Sequence, residues 1–278
     1  MNKWDIFKDL LKNKNAILGM AIVCFIILIA MLGSMIAPYD PFLPFPLDRL
    51  QPPSFAHWFG TDSLGRDILT RVIYGSRISL MIGLVSVTIS LVPGTILGLL
   101  AGYFGKTIDA VIMRIMDVVL AFPAILMAIF IAAILGPSLI NTMIAVGIIY
   151  IPHYARIVRS SVLQLKEQLF VKSVRHMGGS HFRIIFNHIL PNALAPIIVY
   201  ATLGMGTAVL QAAALGFLGL GAQPPQPEWG AMLSEGRQYL QLAPHVAAFP
   251  GLAILFLVLG FNVFGDGVRD VLDPSLRI

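Results

Sequence analysis

Few residues in this sequence have types and spacings that could do chemistry on their own. Gly105-Lys106-Thr107 is similar to the end of a phosphate-binding loop. That loop needs another glycine five residues before Gly105, where Leu100 stands, and it follows a strand rather than an apolar segment. We therefore interpret Lys106 as a basic anchor at the end of an apolar segment and predict no nucleotide site there.

The six histidines provide one weak candidate for metal binding. His181 and His188 are seven residues apart, which is about two turns of a helix, so they could share a face. No carboxylate or cysteine lies near them in the sequence, and the chain contains neither a zinc-protease signature nor a serine-nucleophile elbow. We predict no metal site, no bound cofactor and no catalytic residue.

The composition indicates a chain whose solvent is largely lipid. The 278 residues are 57% hydrophobic and 12% charged, whereas a soluble domain is about 45–50% apolar and about 25% charged. The single cysteine, Cys24, excludes a disulfide framework. Basic residues that flank apolar runs explain the net charge of +5 without a nucleic-acid partner. We predict an all-α protein of the lipid bilayer.

Six apolar segments have the length that a membrane-crossing helix needs, about 17–25 residues. Backbone groups in lipid must hydrogen-bond within their own segment, so these segments are expected to be helices. The first is preceded by lysines and is longer than the apolar part of a signal peptide, which is about 7–15 residues. The predicted spans are 16–37, 80–102, 117–136, 139–157, 193–217 and 247–265.

The distribution of basic residues predicts the orientation of these helices. With both termini in the cytoplasm, the inner segments and adjoining helix edges hold 14 of the 19 Lys and Arg residues, and the outer segments hold the other five. We divide the chain into a cytoplasmic segment 1–15, a first helix with an outer segment over 16–79, and a five-helix core over 80–278.

The first outer segment is rich in proline up to residue 53 and then regains a helical pattern. We predict a helix from Thr61 to Leu80 that lies at the membrane interface, with Asp62 or Ser63 as its N-cap. Asp67 and Arg71 are four residues apart, so we expect an exposed ion pair near the outer mouth of the protein.

The inner segment 158–192 predicts a hairpin of two helices joined by a glycine turn. Glycine takes a positive φ at a helix end without the steric cost that a Cβ imposes. A protruding hairpin is a suitable lever for a cytoplasmic partner, and an ordinary solvated loop is the alternative. The pattern places a helix over 163–177, the turn at Gly178-Gly179, a cap at Ser180, and a second helix from His181 that ends before Pro191.

At this hairpin the sequence resembles the permeases of binding-protein-dependent ABC importers. Those carry Glu-Ala-Ala, a glycine four residues later, and then Ile-x-Leu-Pro. Gly178 matches that glycine and Ile189-Leu190-Pro191 match the ending, but Lys172-Ser173-Val174 stand where Glu-Ala-Ala is usual. The resemblance implies that ATPase-coupling residues are Lys172, Ser173, Val174, Arg175, Gly178, Gly179, Ser180, Arg183 and Pro191.

Three further stretches resemble the C-type permease subunits of the peptide/nickel/opine importer family. They lie at 57–67, 217–230 and 261–274, and the resemblance runs from about residue 8 to the end of the chain. The outer motif residues that it implies are Gly60, Asp62, Gly65, Arg66, Asp67, Arg71, Pro227, Glu228 and Trp229.

The resemblance implies a type I ABC importer permease fold of about six transmembrane helices in the bacterial inner membrane. It also implies three kinds of partner, namely a second homologous permease subunit, two ATPase subunits that hold ATP and magnesium, and an extracytoplasmic solute-binding protein. Members of the family import dipeptides, oligopeptides, glutathione, nickel or metal–opine chelates. We predict peptide import and keep glutathione, nickel and metal–opine import as alternatives.

Two rival function classes remain at this stage. A secondary transporter usually needs an ion site near the middle of the membrane, and the predicted spans contain no charge ladder for proton or sodium coupling. An intramembrane enzyme is disfavoured by the missing catalytic motifs. Six charged residues lie near predicted span ends, where capping and ion pairing are commoner than function: Asp109, Arg114, Asp117, Asp266, Arg269 and Asp270.

Overall fold

The structure, a computed structural model, describes residues 8–272 and is almost entirely helical over that range. Residues 1–7 of the predicted segment 1–15 and the end of the motif at 261–274 lie outside the described residues. The main helices are α1 (Lys14–Ile36), α2 (Ile68–Phe104), α3 (Lys106–Leu120), α4 (Ala124–Leu135), α5 (Leu139–Leu165), α6 (Leu169–His176), α7 (His181–Phe217), α8 (Trp229–Gly236) and α9 (His245–Leu272).

All six predicted spans fall on helices, but they do not all form single spanning helices. Helices α1, α2, α7 and α9 are each long and apolar enough to cross a membrane, and α3 with α4 qualifies as a pair bent by 89°. The prediction of one helix over 117–136 is therefore wrong. The chain turns immediately before Pro123, because a proline ring disfavours the helical conformation of the residue that precedes it.

Contacts between α2 and α5 show that these two helices run parallel. A Cβ atom on Gly94 would lie 2.5 Å from Tyr154, and one on Gly102 would lie 2.7 Å from Val162. Glycines at intervals of four residues on α2 thus bring the two backbones together, as small residues do in membrane helices. Because α2 and α5 run in the same direction, the bent α3–α4 pair must carry the chain back across the bilayer between them.

The remaining helix contacts complete an alternating path. Gly267 of α9 lies against Ala16 of α1, and Gly260 lies against Ile22, so these helices are antiparallel. Helix α7 is likewise antiparallel to α9. The described chain therefore runs along the bundle six times. Four helices, or five spans if the bent α3–α4 pair counts as one, are long and apolar enough to cross a membrane, and α5 is not among them. The segments predicted to be cytoplasmic meet at one end of the bundle. The two long outer segments, one between α1 and α2 and the other between α7 and α9, meet at the other end.

Helix α5 lies at the centre of the bundle, which explains why it is less apolar than the other spans. It packs against α2, α3, α4 and α7. Its side chains at Val146, Tyr154, Val158 and Val162 are almost fully buried within the protein. Neighbouring helices shield this helix from lipid, so it tolerates polar residues that a lipid-facing helix would not.

The predicted interfacial helix from Thr61 to Leu80 is also wrong. Residues 61–67 form a tight loop, and the helix that begins at Ile68 continues without a break to Phe104. Its N-cap is Asp67, whose carboxylate accepts a hydrogen bond from the Thr70 backbone N–H at 2.8 Å. The predicted caps Asp62 and Ser63 lie within the loop. The segment therefore begins with a loop that ends in the capping residue Asp67, and it does not begin with an interfacial helix.

The inner hairpin forms, with two corrections to its predicted helices. The first predicted helix is interrupted at residues 166–168, which separate α5 from α6. Pro191 does not end the second helix, because α7 passes through it by a π-helical turn over Ile184–Ile189. A wider π turn relaxes the clash between a proline ring and the preceding turn, so the helix continues into the membrane span.

Candidate coupling hairpin and outer charge cluster

The coupling hairpin, residues 169–189, turns at a glycine pair. Gly178 has a φ of +79°, and its N–H donates to the Arg175 carbonyl at 3.1 Å. The N–H of Gly179 donates to the Val174 carbonyl at 3.0 Å, which satisfies an orphan carbonyl at the end of α6. Ser180 then accepts a hydrogen bond from the Arg183 backbone N–H and caps α7. The sequence prediction of this turn is confirmed.

The inner face of the hairpin is packed firmly onto the membrane helices. Val171, Ile184 and Ile189 are at most 3% exposed and join a core cluster with Leu99 of α2 and Val158 of α5. The Tyr103 hydroxyl and His181 Nδ1 are 2.7 Å apart and share a hydrogen bond. The hairpin is therefore held by direct contacts with α2 and α5 and is continuous with α7.

The outer face of the hairpin is more apolar than its charges suggest. Leu169, Met177 and Phe182 are 81%, 78% and 70% exposed, at the cytoplasmic end of the bundle where lipid does not cover them. The sequence pattern does not predict this surface, because Lys172, Arg175 and Arg183 give the same segment a basic composition. Exposed apolar residues rimmed by polar ones are typical of a protein interaction site.

The predicted coupling residues all lie in this hairpin or at its boundary with the span. Lys172 binds Glu167 at 2.9 Å, and this hydrogen bond lowers the pKa of the Glu167 carboxyl. The side chains of Lys172 and Glu167 are largely exposed. The remaining members form the end of α6, the turn, the start of α7 and the π turn boundary: Ser173, Val174, Arg175, Gly178, Gly179, Ser180, Arg183 and Pro191.

At the opposite end of the bundle, two arginines and two acids form a buried charge cluster. Arg66 Nε lies 2.7 Å from Asp62 Oδ2, and Arg66 Nη2 lies 2.9 Å from Glu235 Oε2. Arg71 approaches the same two carboxylates at 3.5 and 3.7 Å. Asp62, Arg66 and Arg71 are at most 3% exposed. This outer charge cluster (Asp62, Arg66, Arg71 and Glu235) ties the first outer segment to the second.

The predicted exposed pair of Asp67 and Arg71 does not form. Asp67 is buried, caps α2, and places its Oδ1 2.9 Å from His57 Nδ1. Arg71 turns instead toward the outer charge cluster and donates to the Pro41 carbonyl at 3.2 Å. Spacing along a helix predicts neighbours, but Asp67 is the N-cap and lies outside the first regular turn. Sequence reasoning also missed Glu235, which only the tertiary structure brings to Arg66.

The other outer motif residues close the junction between the two outer segments. Glu228 is 2% exposed and accepts hydrogen bonds from the backbone N–H groups of Gly230 and Ala231, both at 2.8 Å, which caps α8. Burial raises the pKa of the Glu228 carboxyl above its ordinary value, although these two hydrogen bonds oppose the shift. Trp229 Nε1 donates to the Val72 carbonyl of α2 at 3.0 Å.

Three residues of the motif act through the backbone in this junction. Gly65 has a φ of +79° in the tight loop that precedes α2. Gly60 has a φ of +75° and lies beside His245. The Pro227 carbonyl lies against Gly75 of α2, where a Cβ atom would be 2.6 Å away. The motif is therefore a structural junction that closes the outer end of the bundle.

Known families account for most of the chain. The family described as "Binding-protein-dependent transport system inner membrane component" matches residues 94–278. The chain belongs to this family. A second family, the N-terminal transmembrane domain of oligopeptide transport permease C, matches residues 3–53. This permease is accordingly a multi-pass inner-membrane protein and a component of an ABC transporter, which excludes the secondary-transporter alternative.

Individual transport permeases are similar to this permease over nearly its whole length. A dipeptide transport system permease protein of Alkalihalophilus pseudofirmus is 55% identical over 98% of this permease and 90% of the relative. A glutathione transport system permease protein of Pectobacterium atrosepticum is 48% identical over 98% and 91% of the two chains. A di/tripeptide transport system permease protein of Pseudomonas aeruginosa is 47% identical over 98% and 92%.

Solved structures support the fold of the permease. A methionine ABC transporter in an inward-facing conformation has a TM-score of 0.57, with 23% identity, over 73% of this chain and 97% of that chain. A second crystal form of that transporter has a TM-score of 0.59. The predicted type I importer permease fold is confirmed.

Proposed function

We propose that this permease is the translocation subunit of an ATP-driven importer of dipeptides and oligopeptides that an extracytoplasmic binding protein delivers. The observation that carries the proposal is the coupling hairpin, whose inner face is anchored in the core and whose outer face exposes apolar residues. The dipeptide and di/tripeptide permeases among its relatives support the choice of solute.

The two ends of the bundle fit two different partners. The exposed apolar face of the coupling hairpin fits an ATPase subunit in the cytoplasm. At the other end, Leu47, Phe55 and Trp58 are exposed on the first outer segment, and the buried outer charge cluster holds that segment in place. This outer surface fits the solute-binding protein. A complete importer would contain a second homologous permease subunit and two ATPase subunits.

In this mechanism the chain supplies movement and a pathway but no bond chemistry. ATP and magnesium belong to the ATPase subunits, and this subunit binds no cofactor. Binding of ATP favours one arrangement of the hairpin, and the hairpin biases the spans toward outward or inward opening. The free energy for this shift comes from the difference in binding between the two states.

Glutathione import is a second candidate for the solute. It is supported by the 48% identity to a glutathione permease. Glutathione is itself a peptide, so one pathway chemistry serves both candidates. Uptake assays with each binding protein and its solute distinguish them.

The coupling role is tested by two substitutions at one position. A non-glycine residue at the positive φ of Gly178 costs roughly 1–2 kcal/mol, and asparagine tolerates that conformation better than a β-branched residue. We expect Gly178→Val to insert normally, to co-purify with less ATPase subunit and to lose uptake, whereas Gly178→Asn retains both. Normal co-purification and uptake in Gly178→Val would refute the coupling role.

A further inference from the structure

A small cavity lies inside the bundle where α2, α5 and α7 meet. Its volume is about 60 Å³, which is enough for one or two water molecules at about 30 Å³ each. Most of its lining surface is apolar, although six of the lining residues carry hydroxyl groups: Ser86, Ser90, Tyr150, Tyr154, Tyr200 and Thr207.

This cavity lies deep in the membrane. Tyr150 is eleven residues beyond the outer end of α5 at Leu139, or about 16 Å at 1.5 Å per residue. The hydrocarbon core of a bilayer is about 30 Å thick. Polar groups at this depth are costly and therefore point to function.

Several polar atoms around the cavity have no hydrogen-bond partner in the protein. Among the described residues these include the hydroxyl of Ser86, Nδ1 of His153 and Oε1 of Gln211. The Tyr154 hydroxyl lies near Ser90 but makes no hydrogen bond of normal geometry. Ser86 and Tyr154 are each 1% exposed. These atoms are also closed to solvent, so they gain a partner only when the helices around them shift and admit water or another polar molecule.

A series of rings leads from the cavity across α5 and α7. Tyr154 and Tyr200 meet edge to face with centroids 4.9 Å apart, and Tyr200 lies nearly parallel to His153 at 6.5 Å. Tyr150 is 5.4 Å from the His153 ring. Tyr150, His153, Tyr200 and Gln211 are each only partly buried, so this surface is accessible to a molecule that passes beside the subunit.

The surface offers neutral hydrogen-bonding groups and ring faces rather than charge. The next cations along α5 are Arg156 and Arg159, and both are paired with acids of α3. Arg156 Nη2 lies 2.6 Å from Asp117 Oδ1, and Arg159 Nε lies 2.5 Å from Asp109 Oδ1. Neutral donors and acceptors of this kind match the N–H and C=O groups of a peptide bond.

We propose that this surface, the α5–α7 polar face (Tyr150, His153, Tyr200 and Gln211), lines the translocation pathway and binds the amide groups of the peptide in transit. This inference rests on the proposed function and adds to it which surface of this subunit the solute contacts.

Thiol labelling tests whether the α5–α7 polar face lines an aqueous pathway. Because Cys24 is the only cysteine, Cys24→Ser provides a background for single-cysteine variants. His153→Cys is compared with Ile148→Cys, whose apolar side chain is 37% exposed on another side of α5. The complete transporter, with both permease subunits, the ATPases and the binding protein, is treated with a charged thiosulfonate reagent.

A charged reagent enters lipid poorly, so we expect it to label His153→Cys at least about tenfold faster than Ile148→Cys. Binding protein loaded with a dipeptide, together with ATP, should slow the labelling of His153→Cys. Equal labelling of the two positions, or no labelling of His153→Cys in any nucleotide state, would overturn the assignment.

Two conservative variants test the contact with the peptide. Tyr150→Phe and Tyr200→Phe each remove one hydroxyl and leave the ring, so loss of one hydrogen bond should lower dipeptide uptake about 2- to 10-fold. The yield of assembled complex should stay at the wild-type level, which a merely structural defect would not allow. Normal uptake in both variants would overturn amide binding. Labelling of His153→Cys, combined with no peptide import by the wild-type complex, would instead refute the proposed function and leave the pathway intact.

Discussion

At the scale of single residues, the outer charge cluster shows how burial changes the meaning of a charge pattern. An exposed ion pair contributes little, about 0–1 kcal/mol, because water screens it. Asp62, Arg66 and Arg71 are instead buried together with Glu235, so each charge depends on the others. Such a cluster holds a geometry, and removal of one member leaves uncompensated charge.

Asp62 is the member whose loss should be most damaging. Its carboxylate contacts both arginines and also accepts hydrogen bonds from the backbone N–H groups of Leu64 and Arg66. We expect Asp62→Ala to destabilise the protein by about 3–5 kcal/mol, as loss of one partner of a buried pair does. Asp117→Ala, which breaks the exposed pair with Arg156, should cost at most about 1 kcal/mol. Thermal unfolding in detergent measures both, and equal effects would contradict the buried network.

The buried carboxyl of Glu228, in the outer segment between α7 and α9, should make the stability of the protein depend on pH. Burial raises its pKa above the ordinary value of 4.5. The folded state therefore holds the proton of Glu228 more tightly than the unfolded chain does. This contribution to the free energy of unfolding is lost as pH rises from 4.5 through the raised pKa of the folded state. Glu228→Gln cannot titrate, so its Tm relative to wild type should increase with pH over this window. Parallel Tm curves for the two proteins would contradict the shift.

At the scale of elements, the contact between α2 and α5 depends on the glycine stripe of α2. A Cβ atom on Gly98 would lie 2.6 Å from the Ala155 carbonyl and 2.7 Å from Val158. The coupling hairpin packs on the same two helices through the cluster that contains Leu99. Separation of α2 from α5 would therefore disturb the hairpin as well as the span.

We expect Gly98→Ala to cost about 1–3 kcal/mol, because an added methyl group overpacks a close helix contact. Leu100→Ala is a suitable control, since Leu100 is 36% exposed on another side of α2. Tm and the yield of purified complex should fall for Gly98→Ala and stay near wild type for Leu100→Ala. Unchanged stability in Gly98→Ala would show that the two helices can separate without cost.

At the scale of the whole molecule, the helix directions and the charge bias give one orientation. The parallel α2 and α5 require the bent α3–α4 pair to return the chain, so the chain runs along the bundle six times. The basic residues then assign the hairpin end to the cytoplasm. A reporter that works only outside the cytoplasm should be active when it is fused within 41–55. A reporter that works only in the cytoplasm should be active when it is fused after Leu276. A cytoplasmic reporter that is active within 41–55 would overturn this orientation.

The sequence by itself determined the features that depend on local chemistry. Apolar length predicts where helices lie, basic residues predict which ends face the cytoplasm, and Gly178 with Ser180 predicts the turn of the hairpin. Each of these is decided by the solvent or by backbone groups within a few residues. The motifs also indicate the family, because their residue types follow one another along the chain and need no tertiary contact to be recognised.

Only the tertiary structure decided the features that depend on distant partners. Glu235 reaches Arg66 across 169 positions of sequence, Arg71 turns away from Asp67 to join them, and the chain bends by 89° before Pro123. The α5–α7 polar face likewise exists only because two helices bring their rings together. Charge, hydrogen bonding and packing act through space, so spacing along one helix could not predict which of several nearby partners each side chain would find.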